Sequence, residues 1–197
     1  MFLVKYKICQ GVLMLENDLE QEIVDLYSAN LVDLLSINEI SKRLNKKYPY
    51  INKKVNQLIE RRILNKIVVG RSYLCSLNLE NEKTMLLLAL CQINKKKEDF
   101  EFLRKYVIQN SLDLTVHSVV SYQDGIIFIV NGLRERRKII EDHPHAQALH
   151  KSEFVDMLID TPHLFHNHIV VYGYERFFEL VASAKEELKI KYSPLKY

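Results

Sequence analysis

The chain is predicted to be mixed α+β, with an N-terminal helix–helix–helix–hairpin unit, a helical connection, and a smaller α/β part. Three observations carry this prediction. Apolar residues recur at helical spacing from Asp18 to Arg62 and give way to two β-like runs meeting at Gly70–Arg71. Past residue 110, β-rich and helical runs alternate. The cationic charge gathers in the first part. Ten of the 28 Lys and Arg, but two of the 25 acids, lie between Ser36 and Tyr73. That segment stands at +8 and the rest of the chain at −5, in a total of +3. A cationic module in an anionic protein predicts a polyanionic partner for that module.

With 48% hydrophobic and 27% charged residues over 197 positions, the chain can bury a core and does not read as disordered. No apolar run approaches the roughly 20 residues that span a bilayer. The start, "MFLVKYKICQGVLML", sets Lys5 and Lys7 inside its apolar stretch and lacks a small-residue cleavage site, so it does not fit a signal peptide. A cytoplasmic protein with no membrane partner is expected. Cys9, Cys75 and Cys91 are widely spaced and form no CxxC pair, which predicts core thiols rather than disulfides or a zinc site.

Taken in order, residues 2–15 predict a strand, or two strands around Gly11. Asp18 to about Asn30 predicts a helix with Leu19, Ile23, Leu26 and Tyr27 on one face. "SINE", Ser36 to Glu39, is a capping box that starts a second helix with Ile37, Ile40 and Leu44 inward. Pro49 disfavours helical geometry at Tyr48 and suits a helix's first turn. A third helix is therefore expected from about Pro49 to Arg62. Ile51, Val55 and Leu58 form its buried stripe, with Asn52, Lys53, Asn56 and Gln57 opposite. "NKIVVG" and "RSYLCSLN" then predict a hairpin with a basic tip.

In "LSINEISKRLN", "INKKVNQLIERRIL" and "VGRSYLCSLNLEN" the segment Ser36–Leu79 resembles archaeal-type winged helix-turn-helix DNA-binding domains. The resemblance implies a positioning helix, a recognition helix and a wing, on double-stranded DNA. Arg62 departs from it, standing where many relatives carry Gly before the wing.

The residue types agree with that role. Asn is a mediocre helix former, yet two stand with Gln on the exposed side of the third helix. Such amides can bind adenine bidentately in the major groove. No acidic residue occurs from Lys42 through Ile59, whereas a merely solvated face mixes signs. Tyr50, Asn52, Lys53, Asn56 and Gln57 are expected to read bases or nearby phosphates. Lys42, Arg43, Lys46, Lys47 and Tyr48 would hold the backbone, and Arg71 would reach phosphate or minor groove. Six to eight phosphate contacts would give a salt slope of about −5 to −7.

From Glu80 to about Val107 the pattern is helical, interrupted by "NKKKED". The run "TMLLLALCQI" is so apolar that it must be covered on most sides, between domains or by a second copy. Beyond it, "LTVHSVVSYQDGIIFIVNG" predicts two strands parted near Gln123–Asp124 and "ERRKIIED" a helix. "HAQALH" predicts a strand, "SEFVDMLI" a helix capped by Ser152, "HIVVYG" a strand, and "YERFFELVASAKEELK" a final helix.

Through "LHKSEFVDML" and "HNHIVVYGYERFFELV" this half resembles small nucleotidyltransferase-like domains. That family's chemistry requires a Gly-Ser loop and an Asp-x-Asp pair for two magnesium ions. Here Ser121 lacks a preceding Gly, only Asp124 stands near the carboxylate position, and Ile126 takes the place of the second Asp. Without paired carboxylates two metals have no evident holder. The resemblance then implies a retained fold without activity, and no cofactor is assigned.

Six of the seven histidines lie between His143 and His168. His163, His166 and His168 could approach one metal, but no Cys joins them and the spacing fits no zinc pattern, so none is assigned. Ser118 and Ser121 lack a convincing base, and no Gly-rich phosphate loop occurs among the five glycines. The expected whole is a 1–79 winged helix domain, an 80–110 linker helix and a 111–197 nucleotidyltransferase-like domain. Its expected function is transcription regulation, as a homodimer, with the C-terminal part dimerising or sensing a ligand or protein effector. Two alternatives stand beside it: a nucleotidyltransferase targeted by the winged helix, and a winged-helix protein-interaction module.

Overall fold

The computed structural model describes residues 7–9, 12–14, 19–95, 100–122, 125–161 and 168–192, the segments 7–14 and 189–192 by backbone alone. It is a mixed α+β structure. Strands β1 (Lys7–Cys9) and β2 (Val12–Met14) pair antiparallel. Helix α1 (Leu19–Leu26) buries Leu19, Ile23 and Val24, and Tyr27 just beyond it is buried completely. The Tyr27 hydroxyl donates to the Cys75 carbonyl at 3.0 Å, and burial holds that phenol well above its ordinary pKa.

Strand β3 (Leu35–Ser36) leads directly into α2 (Ile37–Arg43). The capping box forms: the Glu39 N–H donates to Ser36 Oγ at 3.2 Å, and the Ser36 N–H donates to Glu39 Oε2 at 2.7 Å. The Ser36 backbone N–H and hydroxyl, both donating to Oε2, hold the Glu39 carboxyl below its ordinary pKa. Helix α3 (Tyr48–Glu60) starts one residue before Pro49, and its stripe of Ile51, Val55 and Leu58 is wholly buried.

Arg62 explains how α3 ends without a glycine. It takes φ +58°, its N–H donates to the Ile59 carbonyl, and the Ile63 N–H reaches back to the Leu58 carbonyl at 2.9 Å. That is a Schellman closure with Arg where Gly is usual, and the buried Ile63–Leu58 pair supplies its hydrophobic contact. The chain then forms β4 (Leu64–Val69) and β5 (Ser72–Leu77), turning at Gly70 with φ +59°. The three strands order as β3-β5-β4, all antiparallel.

The predicted linker helix is two helices, α4 (Glu82–Asn94) and α5 (Glu101–Gln109). Helix α4 docks between α1 and α8 (Tyr174–Ser183) rather than standing free. Its polar ties reach three elements. Thr84 donates to the Ile63 carbonyl, the Cys91 thiol to the Gln21 carbonyl, and Gln92 Oε1 accepts the Val170 N–H at 3.0 Å.

The four-stranded sheet holds β6 (Val116–Tyr122), β7 (Gly125–Val130), β8 (Gln147–His150) and β9 (Ile169–Tyr172) in the order β8-β7-β6-β9. Only β7 and β8 are parallel, joined by the crossover helix α6 (Leu133–Asp142). One face of this sheet, with Val120, Ile127, Ile129 and Val170, shares a continuous apolar cluster with α1, α3, α4, α7 (Lys151–Asp160) and α8. The other face, with Val119, Phe128 and Val130, packs under α5 and α6. Both faces are covered, which explains why β7 is an unbroken apolar run and why β6 is buried along nearly its whole length.

Two terminal details correct the sequence reading. Helix α7 begins after His150, whose N–H donates to Glu153 Oε2 at 2.7 Å, so Ser152 lies inside the helix and does not cap it. The predicted final helix is two, α8 and α9 (Lys185–Tyr192), parted at Ala184. Gly173, at φ +71°, sits against the His117 carbonyl where a Cβ has no room. Among the described residues, no helix is long and apolar enough to cross a membrane.

Relieving the left-handed side chain in Arg62→Gly is expected to raise stability by about 0.5–1 kcal/mol, read from the urea midpoint. A second expectation concerns pH. Burial, aided by the Lys151 and Arg176 cations, pushes His117 from 6.5 down to about 4. The unfolded chain thus takes up a proton near pH 6.5 that the folded chain refuses until about 4. The stability from the neutral ring is complete above pH 6.5 and is lost on acidification toward pH 4, by on the order of 1–2 kcal/mol. Comparing urea midpoints at pH 7 and 4.5, His117→Gln should show a smaller drop than the unaltered chain.

Candidate nucleic-acid interface

The front of the N-terminal unit is built from the turn after α2, the outer side of α3 and the hairpin tip. The buried stripe of α3 decides which side is outer. With Ile51, Val55 and Leu58 inward, Lys53, Asn56 and Gln57 are exposed and Asn52 is half-buried. Tyr48 and Tyr50 are exposed at the helix start, at 48% and 60%, large rings left in water just after Lys47. Arg71 is exposed at the hairpin tip.

The cations of the segment divide by partner. On the back of α3, Lys54 (3.5 Å) and Arg61 (2.5 Å) both meet the carboxylate of Glu20, a buried residue of α1. Arg43 faces Asp33 at 3.6 Å, and Lys46 meets Glu22 at 2.6 Å. Lys42, Lys47, Lys53, Arg62, Lys66 and Arg71 have no ion-pair partner among the described residues. Of the eleven sequence-assigned residues, Lys42, Lys47, Tyr48, Tyr50, Lys53, Gln57 and Arg71 are exposed, and Asn52 is half-buried with its Oδ1 accepting from Asn56. Arg43 and Lys46 are already neutralised by acids, and Asn56 is engaged within the protein.

Two residues of this front escaped the sequence reading. Along one face of the hairpin lie Leu64, Lys66 and Val68, paired with Leu77, Cys75 and Tyr73. At the base this face is core, with Leu64, Cys75 and Leu77 buried. Toward the tip it outruns the core and becomes a wall beside α3. There the Tyr73 hydroxyl donates to Asn56 Oδ1 at 3.3 Å, and Lys66 Nζ lies 4.4 Å from the centre of the Tyr73 ring. The signal was present as strand alternation whose inward positions turn from apolar to polar along the hairpin.

The other candidates do not converge. His143 packs edge-on to Tyr106 (4.4 Å) and stacks on Phe128 (5.7 Å), while His168 is buried against Phe177 and Phe178. His163 and His166 lie outside the described residues, as do Gln123 and Asp124. Among the described residues, no group of three metal-capable side chains occurs. Ser121 pairs with Ile126 across the β6–β7 hairpin and is buried. Ser118 has a neighbour the sequence reading did not pair with it, His117 Nδ1 at 3.2 Å, but its hydroxyl is sealed from solvent. Cys75 and Cys91 are buried thiols, pushed by that burial up to about 11 and 12.

Comparison with protein-family models, curated proteins and solved structures gave no match.

Glu20 ties the back of α3 to α1, so Glu20→Gln removes the charge that two cations share. A loss of about 1–2 kcal/mol is expected, less than for a fully buried pair because Arg61 is half exposed. Urea unfolding of the variant beside the unaltered chain measures it.

Proposed function

We propose that this chain binds double-stranded DNA through an N-terminal winged helix-turn-helix, with α3 as recognition helix and the β4–β5 hairpin as wing, and regulates transcription. One observation carries the reading. Helix α3 exposes amides and a lysine on the side away from its buried stripe, in a stretch without acids, and unpartnered cations flank it from the α2–α3 turn to the hairpin tip. A surface kept soluble for its own sake mixes signs.

In this reading Lys53, Gln57, Asn52 and Tyr50 meet the major groove, while Lys42, Lys47 and Tyr48 hold phosphates and Arg71 reaches the backbone or minor groove from the tip. One such unit covers a single half-site, so the working form is a homodimer. The C-terminal sheet, read as a nucleotidyltransferase-like domain without paired carboxylates, serves dimerisation or senses a small-molecule or protein effector.

The ion pairs revise the salt dependence. With Arg43 and Lys46 held by Asp33 and Glu22, five cations without ion-pair partners among the described residues remain around α3 and the hairpin, besides Arg62 past the end of α3. The slope of log K against log salt is then about −4 to −5 rather than the steeper value the bare sequence implied.

The test is a gel shift on random duplex DNA, at low salt and across a salt series, with the unaltered chain and a Lys53→Glu/Asn56→Ala variant. Retardation of the unaltered chain and a loss of about tenfold or more in the variant support the assignment. Equal binding by both removes α3 from the interface. No binding at low salt turns the face over to protein docking.

A further inference from the structure

Tyr48, Asn52 and Asn56 follow one another at intervals of four and so lie in one row along α3. The Asn56 Nδ2 group donates to the backbone carbonyl of Asn52 at 2.9 Å and to Asn52 Oδ1 at 3.1 Å. Asn56 Oδ1 accepts from the Tyr73 hydroxyl at 3.3 Å. This chain of groups has one consistent polarity. A backbone carbonyl only accepts, so the Asn56 atom facing it is the amino nitrogen, because the flipped amide would set oxygen against oxygen. Asn56 Oδ1 is thereby left for Tyr73. Burial, with the Cys75 thiol and Tyr48 hydroxyl nearby, raises that phenol above its ordinary pKa, so it keeps its proton and donates. Asn52 in turn gives its oxygen to Asn56, which leaves its amino group turned outward.

We infer that Tyr73 is a positioning residue for base recognition: through Asn56 it holds Asn52 with its amino group outward, so that the middle of α3 offers donors and selects guanine rather than adenine. The inference rests on the reading of α3 as the helix that enters the major groove. An amide that reads adenine uses its oxygen and its amino group together, because adenine shows an acceptor beside a donor. Asn56 has both ends engaged within the protein, and Asn52 has its oxygen engaged. Guanine shows two acceptors, N7 and O6, which suit the Asn52 amino group and the neighbouring Lys53. The Lys66 ammonium over the Tyr73 ring helps to keep that ring, and with it the chain of hydrogen bonds, in place.

The experiment uses the full chain and Tyr73→Phe, which keeps the ring and removes the hydroxyl. Two readouts separate the link from its use. In DNA-free, 15N-labelled protein, the Asn56 side-chain amide signals, assigned by their loss in Asn56→Ala, should move in Tyr73→Phe. Unmoved signals mean the link does not exist, and the inference falls. In selection from a randomised duplex library, the unaltered chain should prefer guanine to adenine at one position by about tenfold. In Tyr73→Phe that preference should shrink toward one, with an unchanged Tm. An adenine preference in the unaltered chain, or a preference that survives Tyr73→Phe, overturns the inference. If the amide signals move but no duplex binds at low salt, it is the DNA-facing reading of α3 that fails. Should Tyr73→Phe melt, Asn56→Ala cuts the same link from the helix side and supplies the discrimination measurement.

Discussion

Helix α4 is the constraint on which the rest of the structure depends. Its run "TMLLLALCQI" is apolar nearly all round, so no single partner surface can keep it from water. The fold answers by closing on it from two sides, with α1 and the end of α3 on one and α8 and β9 on the other. The buried Thr84, Cys91 and Gln92 aim their polar atoms at three separate elements. Each of those bonds satisfies a group that would cost free energy if sealed unpaired. The apolar cluster therefore runs without a break from Leu19 to Leu188, and the N-terminal unit and the four-stranded sheet share it through α4. The exposed face of α3 at one end and the four-stranded sheet at the other are thus joined by packed side chains.

What was legible in the sequence was local. Ser36 and Glu39 lie three apart and need only each other, so the capping box could be read before any tertiary contact was known. The stripe of Ile51, Val55 and Leu58 and the turn at Gly70–Arg71 are likewise set by spacing along a few residues. What escaped depends on residues far apart. Glu20 meets Arg61 across 41 positions, and Tyr73 meets Asn56 across 17. No periodicity announces such pairs. The start of α7 was misplaced for a related reason. Ser152 looks like a cap by residue type, but Glu153 chooses the backbone N–H of His150, and geometry rather than identity decides the first turn. At Arg62 the residue type argued against a helix end, and the buried Ile63–Leu58 contact overrode it.

The charge asymmetry also resolves into two physically different populations. Read along the chain, ten cations against two acids look like one patch. In space, acids from outside the segment reach in. Glu20 gathers Lys54 and Arg61 behind α3, Glu22 takes Lys46, and Asp33 takes Arg43. Some of the acids that dominate the rest of the chain thus serve to orient the N-terminal helices. An exposed ion pair contributes little to stability alone, but Glu20 is buried and holds two cations at once, which specifies how α3 lies on α1. The cations left over, Lys42, Lys47, Lys53, Arg62, Lys66 and Arg71, carry the open positive field. Their number, not the raw count along the sequence, sets how strongly an anionic duplex would be drawn to this face. Beside these cations the amides of α3 have a fixed hydrogen-bond polarity, because Tyr73 on the neighbouring strand donates to Asn56, which donates to Asn52.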